Sequence, residues 1–158
     1  MKLIFDEAGG GVGRTIHVGE TPHVDLETFI ATVETLEPSR VAHPIVTCRS
    51  YWEKKDDRGL KLLKERDIVC ELCVKSNLLT RAVKDLNEYG RIIRTLDDFG
   101  IKYTFSTDAP SLQVTSLAEE LLLLLQSNAA TEEQVLRALK TADECSFLPK
   151  PHTPTAKT

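Results

Sequence analysis

The residues best suited to chemistry begin with His17 and Glu20, three positions apart at the end of a predicted strand, with Gly19 between them. An imidazole binds divalent ions and a nearby carboxyl group can move a proton, so the pair suits metal chemistry. His43 and Asp108 follow further along the chain, each just after another predicted strand. Together the four side chains predict a metal-activated water with acid–base assistance.

Each of these residues also has an ordinary structural interpretation. A histidine at a strand end often only completes hydrogen bonds, Glu20 could cap the helix that follows it, and an aspartate before Ala109 and Pro110 is a common turn former. Their shared position at the same end of successive strands makes the structural interpretation less satisfactory. Open α/β sheets and βα barrels place their active sites at that end.

The elements that must position these residues alternate between strands and helices. Four short segments have the composition of strands: 13–18, 40–43 with a possible extension to Val46, 68–73, and 101–106. Four segments have helical spacing: 25–36, 51–66 with a possible interruption at 57–59, 91–99, and 115–126. A final helix is predicted with Thr131 as its N-cap. This order predicts an α/β fold with a parallel sheet.

Four further local expectations follow from the pattern. The strand at 68–73 is expected to continue into a polar loop, and the helix at 115–126, apolar on most faces, is expected to be well covered. Residues 3–9 read as the tail of a helix, and residues 150–158 as a disordered tail rich in proline, threonine and lysine.

Composition indicates an ordinary globular domain. The chain has 158 residues, of which 41% are hydrophobic and 28% charged, with a net charge of -4. Sparse aromatic residues and the lack of a basic stripe argue against nucleic acid as a partner. No apolar run reaches membrane-spanning length, and the N-terminus becomes acidic too early for a signal peptide. A cytoplasmic protein is therefore expected.

Cys70 and Cys73 have the spacing of a redox or zinc-binding pair. There is only one such pair, and it lies in an apolar segment that reads as a strand, where residues three apart point to opposite faces. Buried free cysteines in a reducing compartment are the favoured interpretation.

Four short blocks resemble motifs of the adenosine deaminase family, in the same order. His17–Glu20 resembles its His-Ala-Gly-Glu, and Arg40–His43 resembles its Arg-Ile-Gly-His. Glu71–Thr80 resembles its Glu-x-Cys-Pro-x-Ser-Asn-x-x-Thr, and Ser106–Pro110 resembles its Ser-x-Asp-Asp-Pro. The resemblance runs from about Phe5 to Leu148.

The resemblance implies a zinc-dependent hydrolase that converts adenosine, or a related aminopurine, to inosine (or its equivalent) and ammonia. Residues 1–149 would form the C-terminal half of a (β/α)8 barrel. By matching position, His17 and Asp108 would bind zinc, and Glu20 would protonate the purine ring. His43 would orient and help deprotonate the attacking water. Two further positions would contact the substrate: Gly19 and Ala109.

Three departures from the family pattern matter. The chain corresponds to half a barrel and lacks the family's His-x-His pair, so two family zinc ligands are missing, although His23 could be recruited. Ala109 replaces the second aspartate of the Asp-Asp pair, which leaves the aminopurine open. Pro44 replaces a glycine next to His43 and could shift the backbone there.

A half barrel would expose unpaired strand edges. We therefore expect self-association or a missing N-terminal half. Two alternative functions stay open: a related amidohydrolase with another substrate, motivated by Ala109, and a catalytically incomplete fragment that only binds nucleoside or a partner protein, motivated by the missing histidine pair.

Overall fold

Four parallel strands form one sheet in the computed structural model, which describes residues 13–21 and 23–148. The strands, in chain order and in sheet order, are β1 (Thr15–His17), β2 (Arg40–Ala42), β3 (Val69–Leu72) and β4 (Tyr103–Phe105). Each neighbouring pair is parallel. The helix predicted at 3–9 and the tail at 150–158 lie outside the described residues.

Helices connect the strands and follow the last of them. They are α1 (Leu26–Leu36), α2 (Ile45–Lys54), α3 (Arg58–Glu65), α4 (Val74–Leu79), α5 (Leu86–Asp98), α6 (Pro110–Gln113), α7 (Leu117–Gln126) and α8 (Glu132–Glu144). The alternation of strands and helices, and the parallel sheet, were both predicted from the sequence. Within the described residues no helix is both long enough and apolar enough to cross a membrane.

The two faces of the sheet differ in chemistry. Ile16, Val41, Cys70 and Tyr103 stand opposite one another in the strand register, and all four are buried in the hydrophobic core. The alternate positions are largely polar: Thr15, His17, Arg40, Glu71 and Thr104. On that second face Arg40 Nε lies 2.6 Å from Glu71 Oε1, and Thr15 Oγ1 donates to the same oxygen at 3.0 Å. The apolar face therefore holds the helices, and the polar face is turned away from them.

The helix caps follow from local sequence. Asp25 accepts a hydrogen bond from Thr28 N–H at 2.8 Å and starts α1, close to the predicted position. Thr131 caps α8 as predicted, and Gln134 completes a capping box by accepting from the Thr131 N–H.

Several predicted boundaries were wrong. β2 does not extend to Val46, because the chain turns at His43 and Pro44 and enters α2 at Ile45. The helix predicted at 51–66 is two helices, since Lys55 adopts a left-handed conformation with φ of 57° that ends α2.

The segments after β3 and β4 also differ from expectation. The polar loop predicted after β3 begins instead with α4, and α5 starts at Leu86, because Asp85 caps it, rather than at Arg91. α7 is less covered than its apolar sequence suggested: only Glu120 and Leu124 are buried in it. α7 packs near β4, the last strand of the sheet, and no further strand follows within residues 13–21 and 23–148 to cover its other side.

The cysteines are free thiols, and Cys70 and Cys73 are buried, as the favoured interpretation predicted. Burial raises the pKa of Cys73 to about 12, and the pKa of Cys48, also buried, is raised to about 12 for the same reason. Cys145 is half-buried near the end of the described chain.

Thiol labelling should therefore show one fast cysteine. With a disulfide reagent at pH 8, a thiol of pKa about 12 is thiolate in only about one molecule in ten thousand, so Cys145 should react at least about 100-fold faster than Cys48, Cys70 or Cys73. Stopped-flow absorbance measures the phases. Cys145→Ser should remove the fast phase, and a fast phase that survives this substitution would contradict the burial of the others.

Candidate metal and active site

The C-terminal ends of the strands bring three of the predicted residues together. His17 is the last residue of β1, His43 follows β2 directly, and Asp108 lies three positions after β4. Their ligand atoms all lie within 4.8 Å of one another. Parallel strands share one carboxyl edge, which is why residues distant in sequence meet there.

The backbone is strained where it presents two of these side chains. His43 has φ of 59° and Asp108 has φ of 60°, left-handed conformations that non-glycine residues seldom adopt. Each costs about 1–3 kcal/mol and persists only where the surroundings impose it. At His43 the surroundings include two hydrogen bonds: its N–H donates to Glu71 O at 3.1 Å, and its carbonyl accepts from Ile45 N–H at 2.8 Å.

The His43 ring is held on both sides. It is 1% exposed, and its Nδ1 lies 2.9 Å from Asn77 Nδ2. Its Nε2 faces the site and lies 3.2 Å from His17 Nδ1. A partner on one ring nitrogen fixes the plane of an imidazole and leaves the other nitrogen for a metal, a water or a proton.

The two carboxylates of the site are oriented by short polar side chains. Ser76 Oγ donates to Asp108 Oδ2 at 2.7 Å. Glu20 Oε1 accepts from Thr80 Oγ1 at 3.1 Å and from Asn77 Nδ2 at 3.4 Å. Asn77 thus contacts both Glu20 and His43, so it links the predicted acid to the predicted base.

Sequence reasoning did not assign roles to Ser76, Asn77 and Thr80. All three come from α4 and the residue that ends it, the segment predicted to be the end of a strand and a loop. The available signal was the Ser-Asn-x-x-Thr spacing inside the third block of the family resemblance. On a helix the first and fifth positions of this spacing, and the second and fifth, lie on neighbouring parts of one face, which here contacts the site.

The backbone conformation and the close packing at position 19 explain why a glycine is found there. Gly19 has φ of 93°, and its carbonyl accepts from Val46 N–H at 3.1 Å. A Cβ there would lie 2.9 Å from Val46 Cγ1 and 3.0 Å from the His43 carbonyl oxygen. Contact between Gly19 and a substrate stays a prediction. The same holds for Ala109, which is half-buried beside Asp108.

The donor set fits a divalent transition metal. Two imidazoles and one carboxylate are common ligands of zinc. His17 Nδ1 and His43 Nε2 lie 3.2 Å apart, a separation at which the two nitrogens can also share a hydrogen bond directly. His23 is exposed, and in the described part of the chain it does not join the cluster.

Solved deaminase structures share this fold. An adenine deaminase from Arthrobacter aurescens superposes with a TM-score of 0.77 at 17% identity, covering 94% of this chain and 43% of that one. An N6-mAMP deaminase from Arabidopsis superposes with a TM-score of 0.67 at 21% identity, covering 86% and 37%. The parallel sheet with its alternating helices is therefore part of a TIM-barrel fold, as the resemblance implied.

The sequence itself gives the family. The family model described as adenosine deaminase matches residues 4–155, so the chain belongs to the adenosine deaminase family, hydrolases that act on C–N bonds. An adenosine deaminase from Plasmodium gallinaceum is 34% identical over 121 residues, which are 75% of this chain and 31% of that relative. The chain spans less than half the length of the relatives it matches.

Proposed function

We propose that this chain is the C-terminal half of a purine deaminase barrel, and that the complete barrel removes the amino group of adenosine or a related aminopurine by hydrolysis. The observation that carries the proposal is the convergence of His17, His43 and Asp108 within 4.8 Å, with Glu20 tied to His43 through Asn77. A metal donor set and a nearby proton donor are the two requirements of this hydrolysis.

In the proposed reaction His17 and Asp108 would hold a zinc ion. When bound, zinc supplies the acidity that makes a water molecule nucleophilic near pH 7, at about the pH of the cell. His43 Nε2, which faces the site, orients the attacking water and takes its proton. Glu20 donates a proton to the purine ring nitrogen beside the carbon under attack, which makes that carbon more electrophilic. The water oxygen bonds to the carbon, the proton taken by His43 passes to the amino group, the C–N bond breaks, and ammonia leaves. The remaining hydroxyl proton returns to Glu20 as the carbonyl group forms.

The aminopurine is the less defined part of the proposal. The similar proteins are named for adenosine, adenine and N6-mAMP, three substrates with the same aminated ring. Ala109 has no polar side-chain atom at the position of the family's second aspartate, so one hydrogen bond to the ring is not available from it. A related amidohydrolase with a different substrate is therefore the second candidate.

The barrel needs further strands. In the described residues β1 pairs only with β2 and β4 only with β3, so one backbone edge of each is unpaired. Unpaired edges bind other strands. The polar sheet face, with Arg40 and Glu71 in an ion pair, would line the interior of the closed barrel. We propose that a missing N-terminal half, or a second copy of this chain, completes it.

A complementation experiment tests the proposal. The chain is purified alone and together with the N-terminal part of the Plasmodium gallinaceum adenosine deaminase that the chain does not match. Light scattering gives the mass and ion mass spectrometry gives the zinc content. Activity is measured as ammonia released from adenosine and adenine, and as methylamine released from N6-methyl-AMP. We expect the chain alone to self-associate, and the complex to hold about one zinc and release ammonia.

Asp108→Asn is the matched control, because it keeps the size of the side chain and weakens the metal donor. Zinc content of the complex should fall with this substitution. A stable monomer of the chain alone would contradict the role of the open edges. A complex that binds zinc but releases neither ammonia from adenosine and adenine nor methylamine from N6-methyl-AMP would favour the binding module over the enzyme.

A further inference from the structure

The buried carboxylate of Glu120, on α7, takes no part in the proposed chemistry. Glu120 is 1% exposed. A carboxylate is costly to bury unless hydrogen bonds replace its hydration. Specific contacts therefore hold the Glu120 side chain at this position. One of them joins it to α4, the helix that contacts the candidate site.

Both carboxylate oxygens of Glu120 have a donor. Oε2 accepts from the backbone N–H of Lys75 at 2.8 Å, and Oε1 accepts from Thr115 Oγ1 at 3.0 Å. The Lys75 side chain does not pair with Glu120; its Nζ donates to Val114 O at 2.9 Å instead. The two hydrogen bonds made by Lys75 therefore join the first turn of α4 to α7 and to Val114, which lies just before α7. Bonds from a backbone N–H to a carboxylate are among the stronger ones.

α4 depends on such hydrogen bonds to neighbouring elements because it is short. Its six residues cannot form a stable helix alone, since helix nucleation is unfavourable and short helices rely on tertiary contacts. Yet α4 and its end supply the three side chains that orient the site: Ser76 to Asp108, Asn77 to His43 and Glu20, and Thr80 to Glu20. A shift of α4 would therefore move the partners of all three site groups together.

We propose that Glu120 is a positioning residue: its carboxylate anchors α4, and α4 in turn sets the positions of Glu20, His43 and Asp108. The consequence for catalysis rests on the proposed function. The anchoring itself is a property of this chain and is measurable without metal, substrate or a companion half.

Amide hydrogen exchange tests the anchoring in the metal-free chain. Glu120→Ala should speed exchange of the amides in residues 74–80 by about tenfold or more, because the Lys75 N–H loses its acceptor. Residues 132–144 in α8 should stay within about twofold of the parent chain. Glu120→Gln keeps an acceptor oxygen but loses the charge, so its effect should be smaller. Glu34→Ala, an exposed glutamate on α1, is the matched control.

Nitrogen NMR of the histidine rings tests the transmission to the site. In Glu120→Ala the ring resonances of His43 should shift, because Asn77 moves relative to Nδ1, while those of exposed His23 stay in place. A loss of general stability alone would not shift His43 in the folded molecules.

Unchanged exchange in α4, an equal rise in α8, or an unshifted His43 ring would overturn the proposal. If Glu120→Ala does not fold, the same two measurements are made on two other variants. These are Glu120→Gln and Thr115→Val, of which the second removes the donor to Oε1. Neither measurement uses activity, so both test the anchoring even if the completed barrel does not deaminate any substrate.

Discussion

Replacing Glu20 with glutamine should lower the turnover number of the completed barrel by about 10²- to 10⁴-fold, the usual contribution of a general acid. A glutamine occupies the same space and can still accept from Thr80 Oγ1 and Asn77 Nδ2. It has no proton to give to the purine ring. The loss should therefore appear in the chemical step, and the Michaelis constant should change much less.

The measurement is single-turnover ammonia release from the complemented protein, compared between parent and variant. Zinc content should be equal in both, because Glu20 is not among the three residues of the metal donor set. Glu34→Gln, an exposed glutamate on α1, controls for the loss of one negative charge and should leave turnover unchanged. Turnover within about threefold of the parent in Glu20→Gln would refute the proton-transfer role.

The sequence predicted the sheet because its pattern is repeated in each unit. Ile16, Val41, Cys70 and Tyr103 each lie in a short apolar segment followed by a helical one, and they form a buried row across the sheet. A pattern that occurs four times does not depend on any single boundary. The same regularity predicts that His17, His43 and Asp108 lie at one edge of the sheet.

α4 was missed because its formation is not a local property. Val74–Leu79 is too short to show a helical period, and Ser76 and Asn77 are polar residues that read as a loop. Both polar side chains form hydrogen bonds to residues of the site: Ser76 to Asp108, and Asn77 to Glu20 and His43. The contacts that hold the segment, such as that from Lys75 N–H to Glu120, cross 45 positions of sequence, and a local pattern cannot report them.

The contact between His17 and His43 likewise could not be predicted from the sequence. His43 was expected near a water, and the structure places its Nε2 3.2 Å from His17 Nδ1, beside the atoms that could hold a metal. That approach depends on the left-handed backbone at His43, which precedes Pro44. Neither residue type predicts such a conformation, because few non-glycine residues adopt it and a residue before proline favours an extended backbone.

Gly19→Ala should lower the free energy of unfolding by about 2–4 kcal/mol, which combines backbone strain with overpacking. An alanine at φ of 93° is strained whatever the space around it, and its Cβ would also lie 2.9 Å from Val46 Cγ1, 3.0 Å from the His43 carbonyl oxygen and 3.1 Å from Phe29 Cδ2. Two of these neighbours are a fully buried ring and a backbone atom, which cannot move aside cheaply.

Gly100→Ala separates the two contributions. Gly100 also has a positive φ, 62°, but the nearest atom to its Cβ would be Lys64 Nζ at 3.2 Å, the end of a flexible side chain. This control should lose only about 1–2 kcal/mol, the strain alone. Urea unfolding followed by circular dichroism gives both values. Equal losses would show that the packing around Gly19 does not constrain its residue type. Backbone strain alone would then account for the glycine at this position.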